Sequence, residues 1–149
     1  LYAKYALIHA LLVQALQDGL VEKTYVALVL GGPEADTGRI DLPIGRVPGS
    51  SLLRQVDPAG KPAVTEYRVL ERGPETCLLA LRPLTGRTHQ LRVHCAAMGF
   101  PIAGDPQYGG GEGGQQLCAA RLSLIHPITG ERLTLCSRQP QAQIVVSGQ

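Results

Sequence analysis

The chain has 149 residues, 44% hydrophobic and 17% charged, with a formal net charge of +2. That length suits one domain with a core of its own, and the near-neutral balance excludes a uniformly basic nucleic-acid binder, so affinity for RNA or DNA must come from a local patch. Eleven of the fourteen basic residues are Arg, whose planar fork suits phosphate and carboxylate groups, although a GC-rich genome produces the same bias.

The chain opens inside an apolar segment. From Tyr5 to Leu16 apolar residues recur at helical spacing, and Gly19 ends the pattern, which predicts an amphipathic helix with a glycine C-cap. A segment that starts this way, without Met, is expected to be a piece of a longer protein. "KTYVALVLG", rich in β-branched and aromatic residues and ended by Gly31-Gly32-Pro33, predicts a strand. "TGRIDLPIGRV" and "GKPAVTEYRVLERG" read as further strands, with "PGSSLLRQVDPAG" between them as a loop. "TCLLALRP" reads as a strand buried on both faces, and "ARLSLIHP" and "ERLTLC", joined by "HPITGE", as a hairpin. "QAQIVVSGQ" is a last strand or a frayed end. The sum is an α+β fold, a mostly antiparallel mixed sheet with flanking helices, over a single domain of residues 1–149.

Cys77, Cys95, Cys118 and Cys136 form no CxxC pair and each sits in an apolar run, so they read as buried free thiols in a reducing compartment. No apolar run approaches the ~20 residues of a membrane helix. "YGGGEGGQQ" lacks the Gly-Lys-Ser/Thr ending of a phosphate-binding loop and reads as a flexible surface loop.

The segment "RPLTGRTHQLRVHCAAMG" places Arg82, Arg87, Arg92, His89 and His94 close together, and no acid occurs between Glu75 and Asp105. "PLTG" reads as a turn in which Gly86 takes the unusual backbone angles. Thr88 is then the expected cap of a helix from His89 to Met98, with Leu91, Cys95 and Met98 as its buried face and Gly99 as its stop. Arg87 stands at the entrance, and His89 and Arg92 share a face. A helix start flanked by two arginines favours an anion, while a solvated basic face is the ordinary alternative. A partly buried Arg92 requires a partner, either an RNA phosphate or a carboxylate outside this segment.

These residues resemble a known family. "RPLTGRTHQLRVHCAAMGFPIAGDPQYG" is similar to the signature of the RluA-type pseudouridine synthases, which isomerise uridines in ribosomal and transfer RNA. "EKTYVALVLG" resembles the strand carrying that family's active-site tyrosine, "GKPAVTEYRVLERG" its Ala-x-Thr-x-Tyr strand, and "LCAARLSLIHPITGERLTL" the segment that closes its catalytic domain. In this last segment Leu117-Cys118-Ala119-Ala120 stand where the family usually has Leu-His-Ala. The family's catalytic aspartate lies in a His-Arg-Leu-Asp segment with Thr-Ser-Gly after it. None of Asp18, Asp36, Asp41, Asp57 and Asp105 has that context, and "LYAK" resembles the family's residues just past the Thr-Ser-Gly. The resemblance therefore implies a catalytic domain truncated on its N-terminal side, inactive as it stands, with an unsatisfied sheet edge and reduced stability.

The resemblance further implies a reaction without metal or organic cofactor, in which the target base first leaves its stack. It assigns Tyr25 as the active-site tyrosine, stacking on uracil and moving a proton, and Arg92 as the partner of the missing aspartate. Arg87 and His89 are expected on the RNA backbone or supporting the pocket, and Lys23 on a phosphate unless it is an ordinary exposed lysine. His94 and His126 read as structural, and Asp105 as local scaffolding in a turn. RNA is the expected partner, of a cytoplasmic monomer without membrane attachment. The competing readings are a noncatalytic RNA-binding module that has kept the pocket and, in a third class, a structural protein with a decayed site.

Overall fold

A computed structural model describes residues 6–138. The first helix, α1, spans Ala6–Gln17, and Gly19 at φ +70° turns the chain out of it. The Leu20 amide closes the end on the Ala15 carbonyl at 2.9 Å. Of α1 only Ala15 is buried, and Leu7, Leu11, Val13 and Leu16 stay exposed.

Seven of the eight strands match stretches predicted to be extended. They are β1 (Val21–Leu30), β2 (Thr37–Asp41), β3 (Ile44–Arg46), β5 (Val64–Arg72), β6 (Thr76–Pro83), β7 (Leu117–Ile125) and β8 (Arg132–Cys136). The remaining one, β4 (Arg54–Val56), forms inside the expected loop and pairs with β3 in a small sheet of its own. "TGRIDLPIGRV" is accordingly not one strand but two. Pro43 has no N–H to give a ladder, so the segment leaves the main sheet there and enters the small one.

The main sheet is antiparallel in the order β2-β5-β6-β1-β7-β8. With the helices it makes the expected α+β architecture. Strand alternation divides its side chains. One face carries Ala27, Val29, Leu79 and Leu81 with Tyr25 and Tyr67, covered by Leu91 and Cys95 of the second helix α2 (Gln90–Ala97) and by Phe100 and Ile102. The opposite face gathers Val26, Ala80 and Ala120 with Leu70, Leu78 and Cys118. A third cluster of Ile44, Ala63 and Val93 with Val56 and Tyr108 ties the small sheet to α2.

The second helix departs from expectation at both ends. Its N-cap is His89, not Thr88, and no side chain caps it in the usual way. Met98 is 46% exposed because the helix has already ended there, with Gly99 at φ +87° closing it. No disulfide joins the four cysteines; Cys77 and Cys95 are buried, Cys118 is half-buried, and Cys136 is exposed because it lies on edge strand β8. The tail "QAQIVVSGQ" and the first five residues lie outside the described residues.

Candidate RNA-modifying cleft

The turn between β6 and α2 is built by Gln90. Its amide oxygen accepts from the Arg87 N–H at 3.0 Å and from the Thr85 hydroxyl at 2.8 Å. Its amide nitrogen donates to the Val64 carbonyl at 2.9 Å and to Thr65 Oγ1 at 3.0 Å. One buried side chain therefore joins β5, the turn and the helix start, which frees Thr88 from capping. Gly86 does not take the left-handed angles; His89 does, at φ 56°. A non-glycine residue in that region costs about 1 kcal/mol or more, and it persists here because the His89 ring is tied down. Its Nδ1 lies 2.9 Å from the Tyr108 hydroxyl, whose oxygen also accepts the Arg54 amide at 3.0 Å. With the Arg54 amide on its oxygen, the Tyr108 O–H has Nδ1 as its acceptor in the arrangement that satisfies every group, which puts the His89 proton on Nε2. Burial, then the nearby Arg92 and Arg54 cations, lower the His89 pKa and keep the ring neutral.

His94, one turn further along, is fully buried. Nδ1 accepts from the Thr65 hydroxyl and Nε2 donates to the Leu42 carbonyl, both at 2.9 Å. With both ring nitrogens used inside the core, His94 is structural, as expected. His126 Nδ1 accepts the Ile128 and Thr129 amides within the β7–β8 turn, again a structural use.

Arg92 has its carboxylate inside the chain. Nε meets Asp105 Oδ2 at 2.7 Å and Nη2 meets Oδ1 at 2.8 Å, while Nη2 also donates to Gln107 Oε1 at 2.6 Å. Asp105 is fully buried and the Arg92 side chain is 11% exposed. The hydrogen bond from Arg92 holds the Asp105 carboxyl below its ordinary range, and that same bond to Asp105 raises Arg92. Among the described residues Arg92 therefore has a partner, and it is a carboxylate outside its own segment, Asp105. Asp105 is the scaffold it was expected to be, and Arg92 is what it holds. The pair does not saturate the guanidinium, since Nη1 has no hydrogen bond to a described residue. The guanidinium also lies 4.7 Å over the Tyr108 ring.

Asp105 reaches Arg92 because the chain after α2 returns beside β1, where the Ala103 amide bonds the Leu28 carbonyl at 2.9 Å. The glycine-rich segment is less free than a surface loop. Gly110 is buried, and a Cβ there would fall on the Ile102 carbonyl oxygen; one at Gly104 would fall on that of Gly114. Backbone packed this closely around Asp105 admits glycine alone, while residues 111–115 are exposed.

Tyr25 lies on central strand β1, where the pairing with β7 shifts between Thr24 and Tyr25 and leaves Ala120 unpaired across the ladder. Bulges of this kind re-aim side chains. The Tyr25 hydroxyl has no hydrogen bond to a described residue. Arg87 Nε donates to the Pro62 carbonyl at 2.9 Å, which steadies its side chain without neutralising it. Tyr25, Lys23, Arg87, His89 and Arg92 all line one cleft of about 860 Å³, between the end of α1, β1 and the start of α2. Sequence reasoning missed Gln90 and Tyr108. A polar residue near a helix start was the available signal for Gln90; for Tyr108 it was the tyrosine of "GDPQYG", within the matched signature.

The family described as RNA pseudouridylate synthase matches residues 1–97, and the chain belongs to that family, of the RluA type. It is 41% identical over 144 residues to the uncharacterised RNA pseudouridine synthase YjbO of Bacillus subtilis (strain 168), covering 95% of this chain and 51% of that protein. It is 41% identical over 150 residues to the ribosomal large subunit pseudouridine synthase D of Vibrio cholerae, covering 89% of this chain and 46% of that one. Among solved structures, human RNA pseudouridylate synthase domain containing 1 superposes with a TM-score of 0.80 at 30% identity, over 93% of this chain and 62% of that one. The chain thus spans about half the length of the curated relatives it matches. Among the described residues no helix is long and apolar enough to cross a membrane.

Proposed function

We propose that the protein converts uridines of ribosomal or transfer RNA to pseudouridine in the cytoplasm, and that this chain is the larger part of its catalytic domain. The observation that carries the reading is the convergence of Tyr25, Lys23, Arg87, His89 and Arg92 on one cleft. In this reading a flipped uracil stacks on the Tyr25 ring. The N1–C1′ bond breaks, the base turns, C5 bonds C1′, the C5 proton leaves and N1 gains one. The Tyr25 hydroxyl, which bonds to none of the described residues, takes part in that proton movement. Arg92, fixed by Asp105, offers Nη1 to a reacting carboxylate or to the substrate. Arg87 and Lys23 meet phosphates, and neutral His89 acts as an Nε2–H donor rather than as a cation. The chemistry needs no metal or organic cofactor, and the protein acts as a monomer. The aspartate belongs to a part of the catalytic domain N-terminal to Leu1, a reading supported by relatives about twice this length.

One observation favours a second reading, a noncatalytic RNA-binding module. Among the described residues the only carboxylate lining the cleft is that of Glu22, and no aspartate lines it. Tritium release from RNA labelled at uridine C5 separates the two, using protein made from the complete gene. Release that disappears in Tyr25→Ala and Arg92→Ala supports the synthase. Binding without release from ribosomal or transfer RNA overturns it in favour of the module.

A further inference from the structure

Neighbouring residues of a strand point to opposite faces of a sheet. Tyr25 faces the cleft, so Thr24 faces away from it, and the sheet carries a second groove there, of about 530 Å³. Arg39, Arg68, Arg82 and Arg121 line this groove, with Glu66 as the one acid among the described residues that line it. The pairing register sets three of these arginines in a transverse row. Arg39 lies opposite Glu66, and Glu66 opposite Arg82. Thr24 lies opposite Arg121 and one residue beyond the Tyr25–Leu81 pair, beside Arg82. The row therefore crosses five strands in the order Arg39, Glu66, Arg82, Thr24, Arg121, and at the usual spacing of neighbouring strands it is roughly 19 Å long. Arg68 stands next to it on β5.

The charges are only partly matched. Arg82 is 3.6 Å from both Glu22 and Glu66, and Arg39 is 3.6 Å from Asp41, all exposed pairs with loose geometry. Arg68 and Arg121 form no ion pair with the described residues. Such a row is too long for a single phosphate and suits a polyanion that runs across the strands, with arginine forks spaced along it. Arg82 lines this groove and also the cleft on the other face, so the two basic surfaces meet around the end of β6.

We propose that the face of the sheet opposite the cleft is a second RNA contact, a phosphate track that continues from the cleft past Arg82 onto Arg68 and Arg121. It rests on the reading of the protein as one that acts on RNA, and it adds a surface that engages backbone outside the modified nucleotide.

The test compares wild-type protein, made from the complete gene, with Arg68→Gln/Arg121→Gln and Arg68→Lys/Arg121→Lys variants. Neither position lines the cleft. Anisotropy titrations use a structured ribosomal RNA fragment and a short uridine-containing oligonucleotide sized to fill the cleft alone. For the long RNA the Gln variant is expected to bind about tenfold more weakly, and the slope of log K against log salt is expected to become shallower by roughly 1.5, two phosphate contacts being lost. The Lys variant is expected to keep most of the affinity, and the short oligonucleotide to bind all three proteins alike. In tritium release the Gln variant is expected to show the loss in KM with kcat retained. Equal affinity and salt slope for wild type and the Gln variant on the long RNA overturn the track. So does a Gln variant that melts several degrees lower with RNA affinity intact, which assigns the groove to another segment of protein. Absence of release by the wild type would count against the synthase alone, because the titrations decide the track separately.

Discussion

Arg92 and Asp105 form a two-point pair in which the carboxylate is fully buried and both of its oxygens face the same guanidinium. Asp105→Asn turns a donor amide toward a donor guanidinium and leaves a charge without its counter-ion. The expected cost is about 3 kcal/mol of stability, read from urea unfolding. Replacing both residues by apolar side chains of similar volume should recover much of that stability. A loss well under 1 kcal/mol for Asp105→Asn would mean the pair behaves like an exposed one.

Stability should fall in two stages as pH drops. His94 and His89 both have folded pKa values below the ordinary one, burial being the first cause in each. The unfolded chain therefore binds their protons first. Their contribution is complete above about pH 6.5 and declines as pH falls from there toward the folded values. Asp105 is also lowered, through its bond from Arg92. Its contribution is complete above about pH 3.9 and is lost as pH falls through the folded value. Unfolding midpoints from pH 8 to 3 read both stages. His94→Asn should lower the midpoint throughout and flatten the slope just below pH 6.5, with the residual slope belonging to His89.

Tyr108→Phe deletes one hydroxyl and disturbs two residues, because the Arg54 amide loses an acceptor and His89 Nδ1 a donor. The expected cost is about 1–2 kcal/mol. The sharper readout is the nitrogen chemical shifts of His89, which should lose the signature of a ring protonated at Nε2 alone. Unchanged shifts would refute the assigned tautomer.

Tyr25→Phe keeps the ring and removes an oxygen that bonds to none of the described residues. Melting temperature and RNA affinity should stay near wild type while tritium release falls about 10²-fold. Equal release in Tyr25→Phe would reduce the residue to a stacking platform.

Gly110→Ala should cost about 3 kcal/mol or prevent folding, since the new carbon has only the Ile102 carbonyl to occupy. Gly113→Ala, with open space around it but φ +112°, should be milder. Thermal melts of the two variants give the comparison.

How much could be read from the residues depends on how far each signal extends. Strand β1 was legible because ten successive residues keep a β-forming composition up to a Gly-Gly-Pro stop, and the charge cluster because its residues lie within one turn and one helix. Strand β4 and the break between β2 and β3 were hidden, since three-residue strands carry no periodicity. The Thr88 cap was a reasonable expectation that failed because Gln90 reaches back to the turn from inside the helix. The partner of Arg92 was obscured by its distance along the chain and a glycine-supported return, a proximity that tertiary structure alone creates. Arg87, His89 and Arg92 stood out in the basic junction, and Tyr25, with Lys23 beside it, through the family resemblance; only the fold shows that they line one cleft.

Strand β1 lies at the middle of the sheet, yet both of its partners come late in the chain. Val21 pairs with Leu124, and Leu30 with Thr76. During synthesis this strand is therefore made before either partner and waits with both edges open for roughly 50 residues until β6 is translated, and with one edge open for roughly 90 until β7 is. At ~5–20 residues per second these waits last several seconds. The long loops that must close make the folding step slow, and an unpaired strand of this composition is a target for chaperones and for self-association until β7 arrives. Newly made protein should accordingly be far more prone to aggregate than the finished molecule.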